Sequence, residues 1–200
     1  MTRPDAIENV ARALALPGDT SSDFDLNPGL ILPEGRKLRP AGVLCALQQG
    51  RDGVDVILTK RSARLKHHPG QIAFPGGKQD PGDADPIAAA LREADEEIGL
   101  HPDRVEVLGT LPTHETVTSF VVTPVIGFVR EPFDERAEAG EVAEIFRVPL
   151  SHVTNPANFR VEGRRWQGRK RYYYTVPFGP YYIWGATARM LRALAERVAR

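Results

Sequence analysis

The sequence predicts an α/β fold, a mixed β-sheet carrying helices on its faces, and three observations lead there. Segments rich in strand formers alternate irregularly with segments of helical apolar spacing. The first two strand-like segments, AGVLCALQQ and VDVILTKR, are joined by the turn-like GRDG as in a hairpin. Two helical patterns, one in mid-chain and one at the C-terminus, have regular apolar stripes. At 200 residues, 42% apolar and 26% charged, the chain suits one well-buried domain.

From the N-terminus, Asp5 to Leu16 has helical spacing, and PGDTSSDFDLNPG, rich in turn formers, continues as an irregular connection. Residues 1–37 are therefore expected to pack on a main domain that spans 38–200. After the hairpin, RVEVLGTL and SFVVTPVIGFV are two further strands, the second interrupted at Pro124. EVAEIFRVPLSHV is expected to be a short helix broken at Pro149. NFRVEGRRWQGRKRYYYTV has the pattern of two strands around a charged turn. WGATARMLRALAERVAR forms a terminal helix with Ala188, Leu191, Ala195 and Val198 on its apolar side.

Composition narrows the function classes. No apolar run approaches the roughly 20 residues that span a bilayer, the N-terminus lacks the apolar core of a signal peptide, and Cys45 has no second cysteine to pair with. A soluble protein of the reducing cytoplasm is expected, with no membrane partner. The formal net charge is zero, which gives no reason to expect nucleic acid. The basic stretch RVEGRRWQGRKR, with Trp166 interleaved, is most simply an exposed hairpin tip. Cys45 lies in an apolar strand pattern and is expected to be a buried small hydrophobe, not a nucleophile.

The mid-chain helix carries the chemistry. Asp85 suits the N-cap, Pro86 the first helical position and Gly99 the residue past the end, so the helix runs from Pro86 to Ile98. Ile87, Leu91, Ala94 and Ile98 form one stripe, while Glu93, Glu96 and Glu97 fall within about 100° on the far side. An acidic helix face is most often solvated, here with Arg92 and Glu96 paired at i,i+4. However, Glu93 and Glu97 are like charges at i,i+4, which costs a few tenths of a kcal/mol in a bare helix. A divalent cation reverses the sign of that interaction, and carboxylate oxygens are the ligands that Mg²⁺ and Mn²⁺ prefer.

GKQDPGDADPIAAALREADEEIGL resembles the Nudix box, with Arg92, Glu93, Ala94, Glu96, Glu97, Gly99 and Leu100 matching. It departs from that pattern in having Asp83 where Glu is usual, and in one extra residue before Arg92. The longer spacer is similar to that of a branch resembling coenzyme A pyrophosphatases, whose second signature precedes the box. Here ILTKRSARLKHHPGQIAFPGG matches it through Leu58, Thr59, Arg61, Ser62, Gly70, Phe74, Pro75, Gly76 and Gly77, while Ile57 and Lys66 stand where Leu and Arg are more usual. YYIWGATA near the C-terminus is a third matching stretch.

The resemblance implies a Nudix-like α/β/α sandwich that hydrolyses the diphosphate of coenzyme A or its derivatives, as monomer or homodimer. It implies Mg²⁺ or Mn²⁺ held by Glu93 and Glu97, with Glu96 as a further ligand and the Gly77 carbonyl nearby. Arg92 would orient a glutamate by a bidentate contact, and Glu93, Glu96 and Arg92 make up the catalytic set. Arg61, Lys66 and Gln71, in a loop that also holds Lys60, Arg64, His67 and His68, are the candidate substrate contacts. The adjacent His67 and His68 lack a third ligand at zinc spacing. A distal carboxylate could come from Glu115 in the THE stretch or from Glu141. The alternatives left open are another nucleoside diphosphate derivative, such as ADP-ribose, a dinucleotide or an oxidised nucleotide, and a nucleotide-sensing module without turnover. PGGK is not a phosphate-binding P-loop, since Gln79 follows Lys78.

Overall fold

The structure, a computed structural model, describes residues 3–30, 34–166 and 168–200; the side chain of Trp166 lies outside that description. In chain order the elements are α1 (Asp5–Leu14), β1 (Ser21–Ser22), β2 (Arg39–Gln49), β3 (Val54–Arg61), β4 (Ile72–Ala73), β5 (Gly76–Lys78) and α2 (Pro86–Ile98). They continue as β6 (Val105–Thr110), β7 (His114–Glu115), β8 (Phe120–Val129), β9 (Val142–Pro149), α3 (Leu150–Val153), β10 (Arg160–Trp166), β11 (Arg169–Thr175) and α4 (Gly185–Val198). A mixed nine-stranded sheet runs β1-β7-β8-β2-β3-β4, with β5 on β2, β6 on β8 and β9 on β3; β10 and β11 form a separate antiparallel ribbon. Its centre is the parallel pair β2–β8, from Arg39 opposite Phe120 to Gln48 opposite Val129.

Strand alternation divides the interior into two cores. Ala41, Cys45 and Leu47 of β2 turn towards the face covered by α1 and α4, where Ile7, Val10, Leu191 and Leu194 pack. Leu44 and Ala46 turn towards α2 and meet Ala90, Ala94 and Ile98. Cys45 is fully buried, and burial raises its thiol pKa to about 12, so it behaves as the expected small hydrophobe. Among the described residues no helix is long and apolar enough to cross a membrane.

Two expected elements differ. Residues 142–149 form a strand, not a helix: β9 pairs antiparallel with β3 from Asp55 opposite Pro149 to Arg61 opposite Val142, and Val142, Phe146 and Val148, all at even-numbered positions, are buried from it. The helical part is only α3, after Pro149. Pro124 does not interrupt its strand either. The missing donor of Pro124 falls where β8 changes its antiparallel neighbour from β7, opposite Val121 and Val122, to β6, opposite Val125 onwards. The Pro124 carbonyl still accepts from the Leu111 N–H at 2.9 Å.

Long-range polar contacts fasten the N-terminal segment. Arg197, buried in α4, donates to the carbonyls of Ala13, Leu14 and Leu16 and so caps α1, which ends two residues before the expected Leu16. Fully buried His114 lies between the Ser21 hydroxyl at 2.9 Å and the Asp23 carboxylate at 3.2 Å. The Asn27 side chain bonds both the N–H and the C=O of Tyr172, which secures β11.

The helix α2 has the expected bounds and caps. Asp85 Oδ1 accepts from the Ala88 N–H at 2.8 Å, and Gly99 adopts φ +74° past the last turn. Gly42 lets α2 approach β2, since a Cβ there would lie 1.9 Å from the Pro86 carbonyl oxygen. Gly42→Ala is therefore expected to cost about 3 kcal/mol or more in urea unfolding, because the obstacle is backbone. Gly82→Ala, with nothing within 4 Å of the added carbon, should change stability by less than about 0.5 kcal/mol.

Candidate functional site

The N-terminal approach of α2 to β2 is matched at its middle by β5. Gly76 adopts φ +150° and lies so close to β2 that a Cβ would fall 2.5 Å from the Gly42 carbonyl oxygen. At Gly77 a Cβ would fall 2.4 Å from Glu93 Oε1. The glycine pair thus brings bare backbone against two carboxylates of α2, because the Gly76 N–H also donates to Glu97 Oε2 at 3.2 Å.

The three glutamates do not share one exposed face. Glu96 projects into solvent, Glu93 is half-buried, and Glu97 is only 4% exposed, among the buried residues of α2. Glu97 is enclosed because β5 covers a second flank of the helix beyond the apolar stripe. Burial raises the Glu93 pKa against the pull of Arg92. Burial also raises Glu97 to about 7, opposed by the Gly76 N–H and Arg61 and reinforced by the negative charges of Glu93 and Glu141.

Arg92 holds the outer side of this arrangement. Its bidentate partner is Asp83, at 3.0 Å on each oxygen, rather than a glutamate of the helix. Single contacts go to Glu93 Oε1 at 3.1 Å, Glu96 Oε2 at 3.0 Å and the Lys78 carbonyl at 3.2 Å. The guanidinium, with the Asp80 N–H, holds the Asp83 carboxyl below its usual range. Asp83 is the site residue that sequence reasoning noted without assigning. The only signal for it was an acid at a shifted position in the box.

Of the candidate substrate contacts, the structure brings Arg61 to the carboxylates. Its positive charge reaches Glu97, and its Nε is buried with no hydrogen-bond partner among the described residues. Gln71 closes the loop, its carbonyl accepting from the Arg61 N–H at 2.9 Å. Lys66, His67 and His68 are exposed on that loop. The Ser62 N–H donates to the Glu141 carbonyl at 2.7 Å, which ties Glu141 to the same end of the sheet. Glu115 is instead taken by Arg36 at 2.8 Å.

Among the described residues no three His, Cys, Asp or Glu side chains form a ready metal cluster. Glu93 and Glu97, which meet the backbone of Gly77 and Gly76 in turn, make a smaller oxygen set. It suits a hard cation such as Mg²⁺, which takes one or two carboxylates and keeps its other positions for water or phosphate oxygens.

Comparison with known proteins identifies the family. The family model of the NUDIX domain matches residues 38–167. The chain is 39% identical over 181 residues to the uncharacterized Nudix hydrolase NudL of Citrobacter koseri, covering 90% of this chain and 93% of that protein. It is 37% identical over 187 residues to NudL of Escherichia coli K12, covering 94% and 96%. Among solved structures, the MutT protein of Methanosarcina mazei superposes with TM-score 0.52 at 20% identity, over 84% of this chain and 97% of that one. A MutT/nudix family protein of Enterococcus faecalis gives TM-score 0.54 at 16% identity, over 100% and 76%. The two structures share the fold, and the family model with the relatives matched nearly end to end decides the assignment: the chain belongs to the Nudix hydrolase family.

Proposed function

We propose that this Nudix pyrophosphohydrolase cleaves the diphosphate of coenzyme A or its derivatives, giving 4′-phosphopantetheine and adenosine 3′,5′-bisphosphate, with Mg²⁺ or Mn²⁺. The observation that carries the reading is the meeting, at Glu93, Glu97, Gly76–Gly77 and Arg61, of two carboxylates, bare glycine backbone and a buried guanidinium nitrogen without a partner among the described residues. Glu93 and Glu97, with the Gly77 backbone, would hold the cation. When bound it would neutralise the diphosphate and lower the pKa of a bound water, making it a better nucleophile. Arg92 fixes Glu93 and Glu96 in place and clamps the Asp83 loop to the helix. Arg61, whose charge already reaches Glu97, would balance the charge of a phosphate group, and the exposed Lys66 on the same loop supplies charge to the outer part of the substrate. Glu141, whose charge reaches both glutamates, is the better placed of the two distal acids to accept a proton. The long spacer of the box and the preceding signature favour coenzyme A over other nucleoside diphosphate derivatives.

Glu97→Gln should lower kcat at least a hundredfold at saturating Mg²⁺, since one ligand charge is lost while the amide oxygen can still accept from the Gly76 N–H. Turnover close to that of the parent would remove Glu97 from the ligand set.

The metal-free protein should show an inverse pH dependence of stability from this residue. Between the ordinary glutamate value, 4.5, and about 7, folded Glu97 keeps a proton that the unfolded chain has shed, so stability falls as pH rises through that window. The loss should approach about 3 kcal/mol above pH 7, relative to pH 4.5. Urea titrations from pH 5 to 8 in chelator should show it in the parent and not in Glu97→Gln, and added Mg²⁺ should remove it.

Substrate choice tests the coenzyme A reading apart from the Nudix chemistry. If the basic loop reads the 3′-phosphate, 3′-dephospho-coenzyme A should have a kcat/KM about ten- to a hundredfold lower, corresponding to roughly 1.5–3 kcal/mol. Arg61→Ala should narrow that gap. Equal kcat/KM on coenzyme A, its dephospho form and ADP-ribose would defeat the coenzyme A assignment and leave diphosphate hydrolysis standing.

A further inference from the structure

The ribbon of β10 and β11 stands outside the main sheet and concentrates positive charge in a chain whose net charge is zero. Arg160, Arg164, Arg165, Arg169, Lys170 and Arg171 lie on it with a single acid, Glu162. The register places Arg164 opposite Arg171 and Arg165 opposite Lys170. Like charges therefore face each other directly on both faces of the ribbon, an arrangement that destabilises a strand pair. Among the described residues none of the six cations has an ion-pair partner, whereas the neighbouring Arg189 and Arg192 of α4 pair with Asp25 and Glu196. Glu162 accepts instead from the Tyr182 hydroxyl at 2.6 Å.

Charge commonly guards a free strand edge against self-pairing. Alternating signs would guard it as well and attract across the strands, so a guard alone gives no reason for six cations and cross-strand repulsion. The face that carries Arg164, Arg169 and Arg171 also carries Tyr173, whose hydroxyl lies 3.4 Å from that of Tyr182 and whose ring centroid lies 5.1 Å from that of Trp184. Tyr182 is 43% exposed. An aromatic platform at the base of a cationic track is the chemistry that holds a nucleic-acid strand, with phosphates along the cations and bases on the rings.

We propose that the β10–β11 ribbon is a docking surface for single-stranded nucleic acid, separate from the hydrolytic site. Its phosphates lie along Arg164, Arg169 and Arg171, and a base stacks on Tyr182. Several successive phosphates relieve the repulsion that one nucleotide would leave largely in place. The sequence alone suggested a solvated hairpin tip; the register of like charges and the aromatic platform are what the structure adds.

The test is fluorescence anisotropy of a labelled oligouridylate of about twelve nucleotides, a length within the usual site sizes, with the full chain in chelator so that hydrolysis plays no part. Contact with three phosphates should weaken binding roughly twentyfold between about 50 and 200 mM salt. Arg164→Glu combined with Arg165→Glu places an acid opposite Arg171 and Lys170, so it should raise the melting temperature, abolish strand binding and leave diphosphate hydrolysis unchanged. Tyr182→Ala should weaken oligouridylate binding severalfold and leave binding of inorganic polyphosphate, which has no bases, unaltered. The proposal is overturned by the absence of binding at about 100 μM protein, the weak limit of non-specific affinity, or by parental affinity in the double variant. It is equally overturned if polyphosphate binds as tightly as the oligonucleotide and Tyr182→Ala affects neither.

Discussion

The site depends on how closely α2 lies against the sheet. Gly42, Gly76 and Gly77 remove the side chains that would hold the helix and β5 away from β2, and the contact that results takes Glu97 out of water. A carboxylate so placed either keeps its proton or is matched by positive charge. The chain supplies one backbone N–H and the charge of Arg61, which together leave Glu97 near neutrality rather than in the usual carboxylate range. Backbone packing thus sets the electrostatic state of the site before any ligand arrives.

A single helical turn holds three carboxylates in three environments. Glu96 is solvated and paired at i,i+4, Glu93 is half-buried beside Arg92, and Glu97 is enclosed. Arg92 joins this turn to the preceding loop through Asp83, so the loop, β5 and α2 behave as one unit. The segment after β8 closes the other end, where the Arg136 and Glu138 N–H groups donate to the Ile98 and Glu97 carbonyls at 3.1 and 2.9 Å. Those bonds satisfy last-turn acceptors that would otherwise need water.

What was legible in the sequence was local. Asp85, Pro86 and Gly99 mark the ends of α2 by capping chemistry, and the GRDG turn and the α4 stripe are equally local signals. What was not legible depends on partners far along the chain. Residues 142–149 mix acids and apolar residues in a way that allows either period, and pairing with β3 decides for strand. Helical spacing gives the angle of Glu97 relative to the apolar stripe but not the width of the buried zone, which β5 extends. Pro124 signals a break only if both sides of the strand are continuously paired, and here one side changes partner at that residue. The family pattern picked out Arg92 and Arg61, but only the folded structure shows that Arg92 grips Asp83 through Nε and Nη2, and that Arg61 Nε has no partner among the described residues.

The cap on α1 ties the two ends of the chain together in time as well as in space. The carbonyl of Ala13 waits for the guanidinium of a residue 184 positions downstream. During synthesis α1 therefore leaves the ribosome long before the residue that completes it. Until then its last turn has only water for its carbonyls, and a ten-residue helix of that kind is marginal alone. The central β2–β8 pair is also non-local, so the sheet cannot template α1 early. The C-terminal end of this helix can gain its cap only after α4 has been made, so its bonds cannot close in the order of synthesis.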